Sequence, residues 1–254
     1  MIEIPFVMNL LLAMSRITTF VFMTPFLKGR TVPNMAKLVI SVALSVYAAR
    51  NMEDVDVSGI IPFAAMIMMQ IMIGLLLAYI TELVFSGAQM AGGIIDLDMG
   101  FSQSSLLDPS GGARITVVSN LFSILFMIVF LALGGFQALM YTVMYSFDFL
   151  NMDVVGDKDL WFSLIVEVFG YSLSMAIQIA IPLMASMFIV NFMILIIGRM
   201  APQMNILMNM FAIKIAVGLC FLFLSVPLLG ELFAGMTDEL RAFHYDAIEL
   251  LLKK

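Results

Sequence analysis

The polar residues of this chain gather in short clusters, and the apolar stretches between them are very unequal in length. The first, Ile2 to Leu27, has Arg16 in its interior and prolines near both ends, Pro5 and Pro25. A basic turn with Lys28, Gly29 and Arg30 leads through Pro33 and Lys37 into Leu38 to Ala49, a run of only 12 residues. An acidic loop with Glu53, Asp54 and Asp56 follows. Val57 to Thr81 is uncharged for 25 residues, and beyond Glu82 the run continues to Ile95. Asp96 to Arg114 is the longest polar stretch between apolar runs, and Gly100, Pro109, Gly111 and Gly112 predict a turn or flexible loop within it. Ile115 to Phe147 is then uncharged for 33 residues. As one straight helix it would measure about 50 Å, against a bilayer core of about 30 Å. Gly134-Gly135 predicts a break inside it.

A second acidic loop runs from Asp148 to Asp159, and the long stretch Trp161 to Gly198 carries Glu167 and Pro182. A tight turn from Arg199 to Asn205 precedes the last apolar run, which holds Lys214 and ends at Gly230. Beyond it Leu232, Met236, Leu240, Phe243, Ala247 and Leu250 recur every three to four residues and predict an amphipathic terminal helix over 231–254. Thr237, Asp238, Glu239 and Arg241 fall off that stripe, and His244 reads as part of its solvated side. Gly74 and Ala78, then Gly87 and Ala91, recur at a spacing that lets helix backbones approach closely. Six helical segments result, and runs such as Ile115 to Phe147 and Leu38 to Ala49 are too long or too short for simple crossings. The pattern therefore predicts an all-α membrane protein with broken helices, much of whose apolar surface packs against other proteins.

Composition narrows the picture further. The chain has 254 residues, 63% hydrophobic and 12% charged, with a mean hydropathy of +1.09, far from the balance of soluble domains. A net charge of −6 leaves no basic face for nucleic acid. Cys220 is the single cysteine, which excludes an internal disulfide and a thiolate metal site, and it reads as a small buried hydrophobe. The N-terminal stretch has no basic flank and no small-residue cleavage site, so it reads as a retained first helix. Methionine (25) and phenylalanine (22) are abundant, and thioether side chains suit a deformable lining as well as ordinary core or lipid contact.

Lys28, Arg30 and Lys37 place the first turn on the cytoplasmic side, and the turn with Arg199 follows it there. The loops at 53–56 and 148–159 fall outside. Parity puts Asp96 to Arg114 inside although that stretch is acidic, so it reads as a loop folded into a water-filled interior. Enzyme signals are nearly absent: one histidine, no phosphate-binding glycine loop, no dinucleotide fingerprint. Asp96 and Asp98 stand two residues apart, which makes a weak catalytic pair on a helix. Four ionisable residues inside apolar runs, Arg16, Glu82, Glu167 and Lys214, are the candidates for buried charges. They serve either a proton or substrate path or ion pairs between helices and subunits.

Arg16, Thr24-Pro25 and Val32-Pro33, then Ala91-Gly92 with Asp98-Met99-Gly100-Phe101-Ser102 and Asp108-Pro109, then Arg199-Met200-Ala201-Pro202-Gln203-Met204-Asn205-Ile206 together resemble the FliR family. These are flagellar type III export-gate subunits, with the T components of virulence secretion as relatives. The likeness covers nearly the whole chain in the family's order, and the Arg-Met-Ala-Pro-Gln turn is its most specific piece.

The resemblance implies a channel-forming, non-enzymatic subunit without cofactor, catalytic residue or metal site, in the bacterial inner membrane at the flagellar basal body. It implies a single copy within a hetero-oligomeric cone of FliP and FliQ, near FlhB and FlhA, passing unfolded export substrates. A FliP-like part would cover 1–155, with a plug loop within 96–114, and a FliQ-like hairpin 156–230, before the terminal helix. Asp108, Pro109, Ser110, Gly111, Gly112, Ala113 and Arg114 would form the plug. Arg199, Met200, Ala201, Pro202, Gln203, Met204 and Asn205 would face the cytoplasmic entrance. The rival reading is a secondary transporter with discontinuous helices, kinked at Gly134-Gly135 and Pro182; it wants matched halves and a charge cluster at one depth.

Overall fold

A computed structural model describes residues 4–28, 32–52, 59–101, 117–149, 158–200 and 206–252. Among them there are helices and no strands: α1 (Ile4–Met23), α2 (Pro25–Lys28), α3 (Asn34–Asn51), α4 (Ile60–Met99), α5 (Val117–Ala132), α6 (Gly135–Phe149), α7 (Lys158–Met200), α8 (Ile206–Leu224) and α9 (Val226–Leu252). Three are long and apolar enough to cross a membrane, at Pro5–Met23, Ile60–Met99 and Trp161–Met200, or up to five if each of two bent helix pairs counts as one span. The protein is an all-α membrane protein with broken helices.

Sequence accounts for the breaks. Thr24 precedes Pro25, whose ring disfavours helical backbone at the residue before it, so α1 stops at Met23 and α2 starts on the proline. Pro33, extended at φ −58° and ψ 141°, stands instead just before α3, as its N-cap. Gly134 has φ +72°, a left-handed conformation that glycine adopts without strain, and it separates α5 from α6. Ser225 separates α8 from α9, which meet at 61°, and its hydroxyl donates to the Leu222 carbonyl at 2.8 Å. Pro182, in contrast, lies inside a helix that continues from Lys158 to Met200.

The chain forms two compact units, Met1–Val84 with Gly134–Phe169 and Asp238–Lys254, and Phe85–Leu133 with Gly170–Thr237. In the first, α1 packs along α3, and Leu12, Ile17, Phe20, Leu77 and Ile80 are fully buried. A Cβ on Gly74 would stand 2.5 Å from the Arg16 carbonyl oxygen, so the backbones of α1 and α4 approach as closely as the small-residue spacing predicts. Lys37 is buried, with its ammonium 5.6 Å above the Phe22 ring. In the second unit the core is aromatic. Phe126 stands 4.5 Å from Phe85 and 5.5 Å from Phe233 between ring centroids, and Phe122 meets Phe233 edge-on at 6.0 Å.

Cys220 corrects the sequence expectation: it is exposed. The apolar residues of α8 are spread around its whole circumference, so periodicity does not choose which face turns inward.

Candidate functional site

No three His, Cys, Asp or Glu residues stand together as a metal site among the described residues. The cleft of about 300 Å³ between Tyr47, Asn51, Tyr141 and Tyr145 has no nucleophile–base pair in its lining. Function therefore has to be sought in buried polar groups, in exposed charges on apolar helices and in the segments between helices.

Arg16 is the largest fully buried side chain among the described residues. Its Nε donates to Gln70 Oε1 at 2.7 Å, and Nη1 donates to the Ser146 carbonyl at 3.0 Å and to Ser146 Oγ at 2.8 Å. The guanidinium also lies 4.0 Å over the Phe147 ring. A planar fork thus ties α1 to α4 and α6 through neutral acceptors and an aromatic face. No carboxylate joins it among the described residues. Gln70 is itself buried, so the arrangement satisfies buried polar groups that would otherwise be costly.

The other three ionisable candidates sit differently. Glu82 is half-buried, and its Oε1 lies 3.7 Å from Lys28 Nζ, a pair open to solvent or headgroups. Glu167 lies on the exposed surface of α7 and Lys214 is half-buried on α8. Within the first unit Arg16, Glu82 and Glu167 share no hydrogen bond or ion pair among the described residues. Arg199 and Met200 are exposed at the end of α7, Met200 at 80%. Ala201, Pro202, Gln203, Met204 and Asn205 lie outside the described residues, as does the predicted plug from Asp108 to Arg114.

His244 corrects the reading of the terminal helix. It is fully buried, not solvated. Its Nδ1 lies 2.9 Å from the Leu240 carbonyl, and its Nε2 lies 3.1 Å from the Leu77 carbonyl and 3.2 Å from Thr81 Oγ1. The ring clamps α9 against α4. The signal was present in the sequence, because Thr237, Leu240, His244 and Ala247 share one face of a helix, and all four are buried. Reading polarity alone put Thr237 and His244 on the wrong side.

Asp96 is another buried polar residue whose role sequence reasoning missed. Its Oδ2 accepts the backbone N–H groups of Val118 and Ser119 at 3.0 and 3.1 Å. Ser119 Oγ donates to the Gln89 carbonyl at 2.9 Å. A Cβ on Gly92 would stand 2.5 Å from Ser119 Cα, so only glycine allows this approach. The first turn of α5 is thereby seated on α4.

Comparison with known proteins places this architecture. The family described as bacterial export proteins, family 1, matches residues 7–240. A flagellar biosynthetic protein FliR of Aquifex aeolicus is 28% identical over 246 residues, 94% of each chain. The FliR of Bacillus subtilis is 25% identical over 228 residues, 86% of each chain. The Yop proteins translocation protein T of Yersinia pestis is 27% identical over 187 residues, 71% of this chain and 70% of that one. The chain belongs to the bacterial export proteins of family 1, the FliR family.

Proposed function

We propose that the chain is a channel-forming, non-enzymatic subunit of the flagellar type III protein-export gate in the bacterial inner membrane. It is a single copy assembled with FliP and FliQ, close to FlhB and FlhA, and unfolded export substrates pass beside it without a cofactor. Residues 1–155 act as its FliP-like part and 156–230 as its FliQ-like hairpin. Residues 108–114 act as a movable plug, and 199–205 face the cytoplasmic entrance.

The observation that carries this reading is length combined with exposure. Helices α4 and α7 have 40 and 43 residues, about 60 and 65 Å at 1.5 Å per residue. A bilayer core covers about 30 Å of either. Along α7, Phe162, Phe169, Ile181, Phe188 and Met200 all face out of the chain, so the surface beyond the lipid needs protein cover. Glu167, exposed on α7, agrees with this. An outward charge in an apolar run is costly against lipid and far less so against a partner of opposite charge. The names of the relatives, flagellar biosynthetic and translocation proteins, support the secretion context. The transporter reading is supported by the breaks at Gly134 and Ser225, whereas Pro182 lies within the continuous helix α7.

The plug is tested by deleting Pro109 to Gly112 in the assembled complex and measuring small-ion leak across the membrane. A raised leak at rest is expected. An unchanged leak in a complex of normal composition would refute the plug.

A further inference from the structure

The segment between α4 and α5 lies outside the described residues, but the chain on either side of it is described, and both sides meet at one residue. The Asp96 carbonyl accepts the N–H of Gly100 at 3.1 Å, where Gly100 has φ +87° and ends α4 as a glycine cap does. The Asp96 carboxyl accepts the N–H groups of Val118 and Ser119 through Oδ2. The first N–H groups of a helix have no partner within it, and a carboxyl oxygen placed there satisfies them and suits the positive end of the helix dipole. Such a cap ordinarily comes from the residue just before the helix. Here it comes from 22 residues upstream of Val118, on another helix.

Two further contacts show that the seat is built for this turn. Gln89 and Gly92 lie on the same face of α4 as Asp96, seven and four residues before it. Gln89 takes the Ser119 hydroxyl, and Gly92 leaves room for the Ser119 backbone. Asp96 is fully buried, and its Oδ1 has no hydrogen-bond partner among the described residues. Burying a carboxyl group is unfavourable, and the pair of bonds made by Oδ2 helps to offset it.

We infer that Asp96 is a positioning residue that clasps the end of α4 to the start of α5, fixing both roots of the intervening segment. The functional consequence rests on the reading of residues 108–114 as a plug: its roots are held in place by one carboxyl group.

The experiment uses the full chain in its native membrane complex, with Asp96→Ala and Asp96→Asn. One readout is hydrogen exchange of the peptide carrying the Val118 and Ser119 amides; the other is resting small-ion leak. Loss of two bonds to a carboxyl group is expected to speed exchange by about 10- to 100-fold in Asp96→Ala. The effect is smaller in Asp96→Asn, whose amide oxygen still accepts. Leak rises in the same order. Exchange within about twofold of the parent protein in both variants would overturn the inference, since a lost charge-assisted bond is worth more than that. Faster exchange with an unchanged leak would leave the clasp standing and refute the plug. If the alanine variant does not accumulate, the asparagine variant alone decides by the same two readouts.

Discussion

The surroundings of Arg16 and those of Phe126 solve the same problem by different means. Both are fully buried in a chain that is 63% hydrophobic. Arg16 is held by directional bonds to Gln70 and Ser146, which accept only a donor of the right shape in the right place. Phe126 is held by Phe85, Phe130 and Phe233, whose ring contacts tolerate a range of angles. In lipid, apolar burial does little to tell one helix pairing from another. Directional polar contacts and close glycine approaches do that, so the first region specifies the arrangement and the second fills it.

This contrast is sharpened by substitution. Arg16→Ala has the largest expected effect. It removes the donor to three buried acceptor atoms, Gln70 Oε1 and the Ser146 carbonyl and Oγ, and leaves a cavity, so it costs about 3–5 kcal/mol and abolishes accumulation of the chain in the membrane, as read by immunoblot. Arg16→Lys keeps the charge but not the fork that reaches both Gln70 and Ser146, and costs about 1–3 kcal/mol. Phe126→Leu, on the aromatic side, has the smallest effect, about 1–2 kcal/mol, with normal accumulation and a modest fall in the temperature at which the purified complex aggregates. If Phe126→Leu proved as damaging as Arg16→Lys, the distinction between specifying and filling contacts would fail.

Much of the architecture was legible because the signals are local. Gly134 breaks the 33-residue run since glycine alone takes its backbone angle freely, and the pairs of prolines and preceding residues delimit α1, α2 and α3. Gly74 and Gly87 announced close helix approaches by spacing, and built Cβ atoms there would stand 2.5 Å from the Arg16 carbonyl oxygen and 2.9 Å from that of Ser172. What stayed hidden depends on residues distant in sequence. Arg16 stood out as a charge in an apolar run, but nothing nearby pointed to Ser146, 130 residues away. Asp96 read as half of a weak acidic pair because its partners begin 22 residues later. Polarity puts His244 and Cys220 on the wrong faces for opposite reasons: it reads a polar residue as solvated and an apolar helix as enclosed. In a subunit whose outer surface is apolar, neither inference from polarity holds.

The central claim is that these helices are sized for protein neighbours as much as for lipid. Intact-mass analysis of the complex purified from native membranes in mild detergent tests it most directly. The expected result is one copy of this chain in a larger assembly with several copies of smaller membrane subunits, and aggregation of the chain when produced alone. A monodisperse, stable monomer that carries lipid around every span would contradict it.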